Sequence, residues 1–379
     1  MRSSLQYTAC LLLGWAALAS LTLLTGCADA GYYLQSANGH LALMRAARPV
    51  DQWLADAQTP PDLKARLALA QRIRRFAVTD LGLPDNASYN RYADLQRRAV
   101  VWNVVAAPEL SLTLKTWCFP VMGCVGYRGY FDEAQARALA AELKAQGLEV
   151  SVYGVPAYST LGWMNWAGGD PLLSTFINYP EGELARLIFH ELAHQVVYAK
   201  DDTMFNESFA TAVERLGGAR WLARQGSDAA RAEVAANLER RAQFRALTLA
   251  TRRSLAEIYR PNSSVALDNQ AQVAMKLVAM KAFRVQYAQL KTAWLASSGT
   301  GAGTGAAQFG GYDAWVASAN NATFGAQAAY DELVPDFEAL FERQGPDAVD
   351  QWPRFYDAVK RIADLPAPER SRALKARTP

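Results

Sequence analysis

The chain has 379 residues, half of them apolar, and a formal net charge of +3. That length can bury a sizeable core in one large domain or two modest ones. The near-neutral balance offers none of the basic excess that nucleic-acid binding requires, so no nucleic-acid partner is expected.

At the N-terminus, Arg2 precedes an apolar run from Ala9 to Leu24, interrupted only by small and hydroxyl residues. At 16 residues the run falls short of the roughly 20 that span a bilayer, and it suits the core of a signal peptide over residues 1–26. It ends Leu24-Thr25-Gly26-Cys27. A small residue before a cysteine here resembles the bacterial lipobox, in which the cysteine is lipidated and becomes the new N-terminus. An ordinary secretory signal and an uncleaved anchor are the alternatives. Ala28, rather than Asp, follows the cysteine; by resemblance to lipoprotein sorting in a two-membrane bacterium, this points to the outer membrane, with the body facing the periplasm. Cys10 then leaves with the signal and Cys27 takes lipid. Cys118 and Cys124 are expected to pair as a disulfide in an oxidising compartment. Half of a metal site is the other reading of these two, but no further cysteine exists to complete it.

From Gly31 to Leu83 the pattern is helical, broken at Pro60-Pro61, a good start signal for the helix that follows. Ala99 to Ala106 is apolar on both faces and reads as a buried strand. Leu110 to Tyr130 reads as a hairpin holding both cysteines and punctuated by Gly123, Gly126 and Gly129. An alanine-rich helix follows from Asp132 to Gly147, then an alternating strand from Glu149 to Gly154. Helices are expected from Pro180 to Tyr198 and from Thr203 to Leu216, the second stopped by Gly217-Gly218. The remainder is mostly helical, with a Gly/Ala/Ser/Thr-rich stretch from Ser297 to Gly311. After Leu365 the chain turns polar and is expected to fray, giving a flexible tail over 366–379. There is no internal repeat. The fold class is α+β: one domain over 27–365, with a mixed part holding a small sheet to about residue 180 and a helical part beyond it.

The strongest chemical signal is His190-Glu191-Leu-Ala-His194. Histidines at i and i+4 stand one turn apart on one helix face, so both imidazoles can reach one ion. Glu191, beside the first, points toward the open position, where its carboxylate can take a proton from a water that zinc acidifies. The flanks Ile188, Leu192, Ala193, Gln195 and Val196 carry no charge, so the cluster is a set of buried polar groups that needs a purpose. The only other histidine, His40, reads as a surface residue, so a carboxylate must complete the site. Glu207 and Glu214 lie seven apart on one helix and share a face. Glu207-x-x-Ala210 resembles the third-ligand helix of gluzincins. Glu207 is therefore assigned as the ligand, with Glu214 the alternative; Glu214 and Asn206 are then supporting partners, Glu214 orienting an imidazole N–H. One zinc ion per chain is expected.

Several stretches together resemble a known family, the zinc aminopeptidases among bacterial lipoproteins: Gly31-Tyr-Tyr33, Arg45-Ala-Ala-Arg-Pro49, Val101-Trp-Asn-Val104, Thr116-Trp-Cys-Phe-Pro120, Tyr127-Arg-Gly-Tyr-Phe131, Tyr158-Ser-Thr-Leu-Gly162, the zinc helix and Phe205-Asn-Glu-Ser-Phe-Ala210. The resemblance implies a gluzincin-like metallopeptidase core acting on a peptide or protein, with membrane attachment through the N-terminal lipid. It places the substrate-binding strand edge near Tyr158 to Gly162. An oxyanion donor is also needed, and with no histidine left Tyr158, Tyr198 and Tyr330 are the candidates. Each has the alternative of an ordinary packed aromatic. The sequence departs from the family pattern at Met164 to Gly169 and in the Gly-rich stretch 299–311. It lacks a Gly-x-Met-Glu-Asn signature, so the aminopeptidase expectation comes from the resemblance alone. An envelope endopeptidase is the runner-up, and a non-catalytic zinc-binding lipoprotein the reading from another class, against which Glu191 argues.

Overall fold

A computed structural model describes residues 30–119, 123–162, 164–260, 268–297, 309–345 and 350–376, the side chains at 236 and 329–331 excepted. The signal segment, Cys27, Trp163, the Tyr330 side chain and most of the Gly-rich stretch lie outside these. The architecture is α+β, with many helices around small sheets.

Helix α1 (30–46) leads into β1 (Arg48–Pro49), α2 (Val50–Ala55) and α3 (Pro61–Leu81). Pro60 and Pro61 open α3, and Gly82 closes it in the left-handed conformation (φ +63°), which glycine adopts without penalty. β2 (Arg91–Ala93) pairs antiparallel with β1 and parallel with β8 (Leu172–Leu173). β3 (Val101–Pro108) is the centre of a second sheet, flanked antiparallel by β6 (Arg128–Tyr130) and β7 (Leu148–Val155). Its two apolar faces are explained by what covers them. Val104 and Ala106 meet Ala136, Ala140 and Leu143 of α4 (Glu133–Ala145). Val105 and Ala107 meet Ala322 of α10 (Asn321–Asp331). The expected single hairpin is divided. β4 (Trp117–Phe119) and β5 (Gly123–Val125) pair with each other, Cys118 opposite Cys124, while β6 joins β3. The Cys118–Cys124 disulfide is present.

The main core lies between α3, α5 (Glu181–Ala193), α6 (Thr203–Arg224), α11 (Val334–Glu342) and α12 (Gln351–Ala363). Phe76 of α3 meets Trp221 of α6 edge-on at 5.2 Å, and Phe209 of α6 contacts Phe337 and Phe355 at 5.8 and 5.9 Å. A second cluster joins α7 (Asp228–Ile258), α8 (Asn269–Ser297), α9 (Gly310–Ser318) and α10 around Phe283, Trp294 and Phe324.

Three expectations are corrected. α5 ends at Ala193, with His194 as its cap, rather than at Tyr198. α6 runs through Gly217-Gly218 to Arg224, because these glycines are close-approach points, not a stop. A β-carbon at Gly217 would sit 2.7 Å from Leu81 Cδ1 and 3.0 Å from Phe189 Cδ2, and one at Gly218 2.7 Å from Arg186 Cγ. The tail is not frayed over its length: Ala367–Lys375 forms α13, which buries Leu374 in the main core. Its Arg370 donates to Ala363 O (3.1 Å), Lys200 O (3.3 Å) and Asp202 Oδ2 (3.3 Å). Proline opens this helix rather than breaking it.

Candidate metal centre

Pro180 starts α5, and Glu181 and Glu183 occupy its first turn, where the helix dipole favours negative charge. Leu184, Ala185, Ile188, Phe189, Leu192 and Ala193 bury one side against α3 and α6. The last turn carries His190, Glu191 and His194. α6 returns alongside, its N-terminus capped by Asp202, whose Oδ1 accepts from Phe205 N at 3.0 Å. Glu207 and Glu214 fall on the side facing α5.

His190, His194 and Glu207 each bring one donor atom to a common point and together could hold a metal ion. The two imidazole Nε2 atoms are 3.2 Å apart. Glu207 Oε2 lies 3.4 Å from His190 Nε2 and 3.6 Å from His194 Nε2. That oxygen is buried and has no hydrogen-bond partner of normal geometry. Glu214 stands behind His190: its Oε2 is 3.1 Å from His190 Nδ1, and its Oε1 accepts from Arg186 Nε (3.0 Å) and Nη2 (2.6 Å). Arg186 also lies 3.7 Å from Glu183, which Arg241 approaches to 2.8 Å. Glu207, expected as the third ligand, thus lies beside the two imidazole Nε2 atoms, and Glu214, the alternative, lies behind His190.

The electrostatics follow from crowding. Burial works against a charged His190, but Glu207 and Glu214 outweigh it and lift the imidazole well above its ordinary value. Burial likewise opposes charge on Glu207, but His194 and His190 hold its carboxyl well below the usual carboxylate range. For Glu214, burial is overcome by His190 and Arg186, bringing its carboxyl down to about 2. Arg186 answers part of this negative charge, and the remainder can be answered by protons on the histidines or by a metal ion. Glu191 is raised by its burial, partly offset by His190 and His194.

Of the tyrosines singled out from sequence, Tyr198 feels the Glu207 charge; burial first, then Glu207, raises its phenol to about 12. Tyr158 packs elsewhere, 5.2 Å from Phe131 and 5.8 Å from His40 between ring centres. His40 is half-buried rather than a surface residue. Tyr127 and Tyr153, which sequence reasoning missed, also sense Glu207 and are raised chiefly by burial, Tyr153 to about 12. The alternation of β7 was the available signal for Tyr153: its register opposite Asn103 puts it on the face that α10 covers.

Asn206 makes its side-chain hydrogen bonds to Ala199 and not within the group of His190, His194 and Glu207. Its side chain clamps the link between α5 and α6, accepting from Ala199 N (2.7 Å) and donating to Ala199 O (2.8 Å). The same link is held by Arg370 and by Cys124 N, which donates to Asp201 Oδ1 at 2.6 Å. The expected strand edge at Tyr158 to Gly162 is instead a loop, since β7 ends at Val155. Asp170, 1 % exposed, pins that loop by accepting from Thr160 N (3.0 Å) and Thr160 Oγ1 (2.8 Å).

The family model described as "Putative aminopeptidase" matches residues 31–374. The chain belongs to this family. The match runs from α1 into α13, so α5, α6 and nearly all of α13 lie within it. At the level of that description, membership supports a peptidase. No curated protein and no solved structure matches the chain.

Proposed function

We propose that the chain is a zinc-dependent peptidase of the gluzincin type, cleaving residues from the amino end of peptides. The observation that carries the reading is the convergence of His190 Nε2, His194 Nε2 and Glu207 Oε2 beside Glu191. Tetrahedral zinc holds such ligands at roughly 2.0–2.2 Å, which makes the edges of the tetrahedron about 3.3–3.6 Å. The three separations of 3.2, 3.4 and 3.6 Å match those edges. Two imidazoles and one carboxylate are also the donor set of hydrolytic zinc. When bound, the ion would supply Lewis acidity, polarising the scissile carbonyl and acidifying the attacking water.

The remaining chemistry belongs to the chain. Glu191 takes the water's proton and delivers it to the leaving amine; its raised basicity suits an acceptor. Glu214 holds His190 with Nδ1 protonated and Nε2 free to ligate. Tyr198, whose phenol feels the Glu207 charge and stays protonated at neutral pH, is the candidate donor to the developing oxyanion.

The test is metal analysis combined with a fluorogenic panel of aminoacyl substrates and internally quenched peptides, with and without chelator. We expect one zinc per chain, aminoacyl cleavage that chelation abolishes, and recovery on adding zinc. Cleavage confined to internal bonds would replace the exopeptidase with an endopeptidase. Full activity after metal removal would overturn the metal reading, and zinc with no hydrolysis would favour a non-catalytic role. The lipobox-like Leu24-Thr25-Gly26-Cys27 further supports export and acylation at Cys27. Metabolic palmitate labelling that survives Cys27→Ala would remove that part.

A further inference from the structure

Nine large hydrophobic side chains are exposed among the described residues, and three of them, Tyr33 (45 %), Leu34 (63 %) and Leu41 (48 %), share α1. Leu34, Ala37 and Leu41 are spaced three and four apart, so they line one side of the helix. The opposite side is accounted for. Tyr32 meets Tyr130, Gln35 accepts from Phe131 N, His40 stacks on Tyr158, and Leu43 is buried. The outward side should then be polar if water bathed it. Instead, α1 carries no acidic residue, and Arg45, near its end, is its only formal charge.

A further exposed aromatic stands close to the end of α1. Trp166 is 82 % exposed, on the turn whose Gly168 adjoins α1: a β-carbon there would come within 3.7 Å of Met44 Cε. Tryptophan, aliphatic side chains and a flanking arginine are the composition of a surface that rests in the headgroup region of a bilayer.

What covers the patch is indicated by what precedes it in the chain. The apolar run Ala9 to Leu24 and Cys27 stand immediately before α1. Cys27 precedes the first described residue, 30, by three residues, which span at most about 11 Å. An acylated Cys27 and an uncleaved apolar anchor would each hold α1 at the membrane surface. We propose that the face of α1 bearing Tyr33, Leu34, Ala37 and Leu41, extended by Trp166, lies in the interface of a lipid bilayer and sets the orientation of the body on it. This adds a second contact to the anchor and does not depend on the peptidase reading.

The experiment uses the full chain in vesicles of phosphatidylethanolamine and phosphatidylglycerol. An environment-sensitive fluorophore is placed at Leu34→Cys, Leu41→Cys or Asp228→Cys, the last on a side chain 99 % exposed on α7; the wild-type chain sets the labelling background. Labels at 34 and 41 should shift to the blue and be quenched by doxyl-bearing lipid at least roughly threefold more than the label at 228. Introducing Leu34→Glu with Leu41→Glu should abolish that quenching for a label at Ala37→Cys, and the exposure of both leucines leaves the fold intact. A chain that fractionates with membranes while all labels stay aqueous overturns the proposal and leaves the anchor standing. A chain found only in the soluble fraction overturns both. A blue shift at 34 that needs no vesicles, whether concentration-dependent or not, assigns the face to a second copy or to residues 1–29 and also overturns it.

Discussion

Replacing Glu214 with glutamine perturbs the candidate centre without touching the three metal-facing atoms. Glu214 receives a proton donor on each side: His190 Nδ1 at 3.1 Å and the forked contact from Arg186 at 3.0 and 2.6 Å. A carboxylate accepts from both, but an amide has one accepting oxygen and one donating nitrogen. If the amide oxygen faces His190, its NH₂ opposes Arg186. If it faces Arg186, the NH₂ favours the tautomer with the proton on Nε2, the atom that must ligate. Either way, at least one charge-assisted bond of about 1.5–3 kcal/mol is lost. Glu183, 3.7 Å from Arg186, softens the first arrangement. Loss of such a supporting partner costs roughly 10–100-fold in metal affinity, or about 1.4–2.7 kcal/mol. Glu214→Gln should therefore bind zinc about 10–100-fold more weakly in chelator-competition titration, while Glu207→Gln should lose the ion almost completely. Unchanged zinc affinity in Glu214→Gln, or full zinc retention in Glu207→Gln, would refute the assignment of roles.

Glu191→Gln should keep one zinc and its thermal midpoint but lose hydrolysis by roughly 10²–10⁴-fold or more in the fluorogenic assay; a zinc-free variant would mean that a ligand is misplaced. Asn206→Ala strands the N–H and carbonyl of Ala199 and should cost about 2–4 kcal/mol in denaturant unfolding, with weaker zinc binding alongside; a neutral result would remove its bracing role. Asp170, lifted by burial from the ordinary 3.8 to about 6, holds its proton more tightly folded than unfolded. Its contribution to stability therefore falls as pH rises from about 4 to 6, and a carbon-13 titration of its carboxyl with a midpoint near 4 would contradict the burial argument. Gly217→Ala should cost about 1–3 kcal/mol through overpacking against Leu81 and Phe189, read in the same unfolding experiment.

The grouping of His190, His194 and Glu207 was partly legible because its spacing is local. Helical spacing brings His190, Glu191 and His194 together, and a shared face on the next helix offered both Glu207 and Glu214, between which a resemblance and not the spacing chose. β3 and β7 were legible for the same reason, one apolar on both faces and the other alternating. Tyr127 and Tyr153 were not, because reaching Glu207 depends on strand register and on what α10 covers. Gly217-Gly218 was read as a stop because a glycine pair marks a helix end or a close crossing equally well, and only the neighbouring helix decides. The tail after Leu365 was expected to fray because it turns polar, yet its Pro366 stands where proline is favoured, at the start of a helix. Asn206 was grouped with the metal because of its neighbour in sequence, whereas its side chain turns toward the link at Ala199.

All three metal-facing residues fall between His190 and Glu207, on consecutive helices joined by a short link. Closing so short a loop costs little conformational entropy, so a chelating fragment can assemble before β3 or the α7–α8 cluster is in place. An ion that also binds the partly unfolded chain adds less to global stability than its affinity for the finished fold would suggest. Bound early, such an ion would instead act as a pin, drawing α5 and α6 together so that Phe189, Trp221 and Phe209 meet the partners that bury them. The sequence of events this arrangement permits is metal first, fold second.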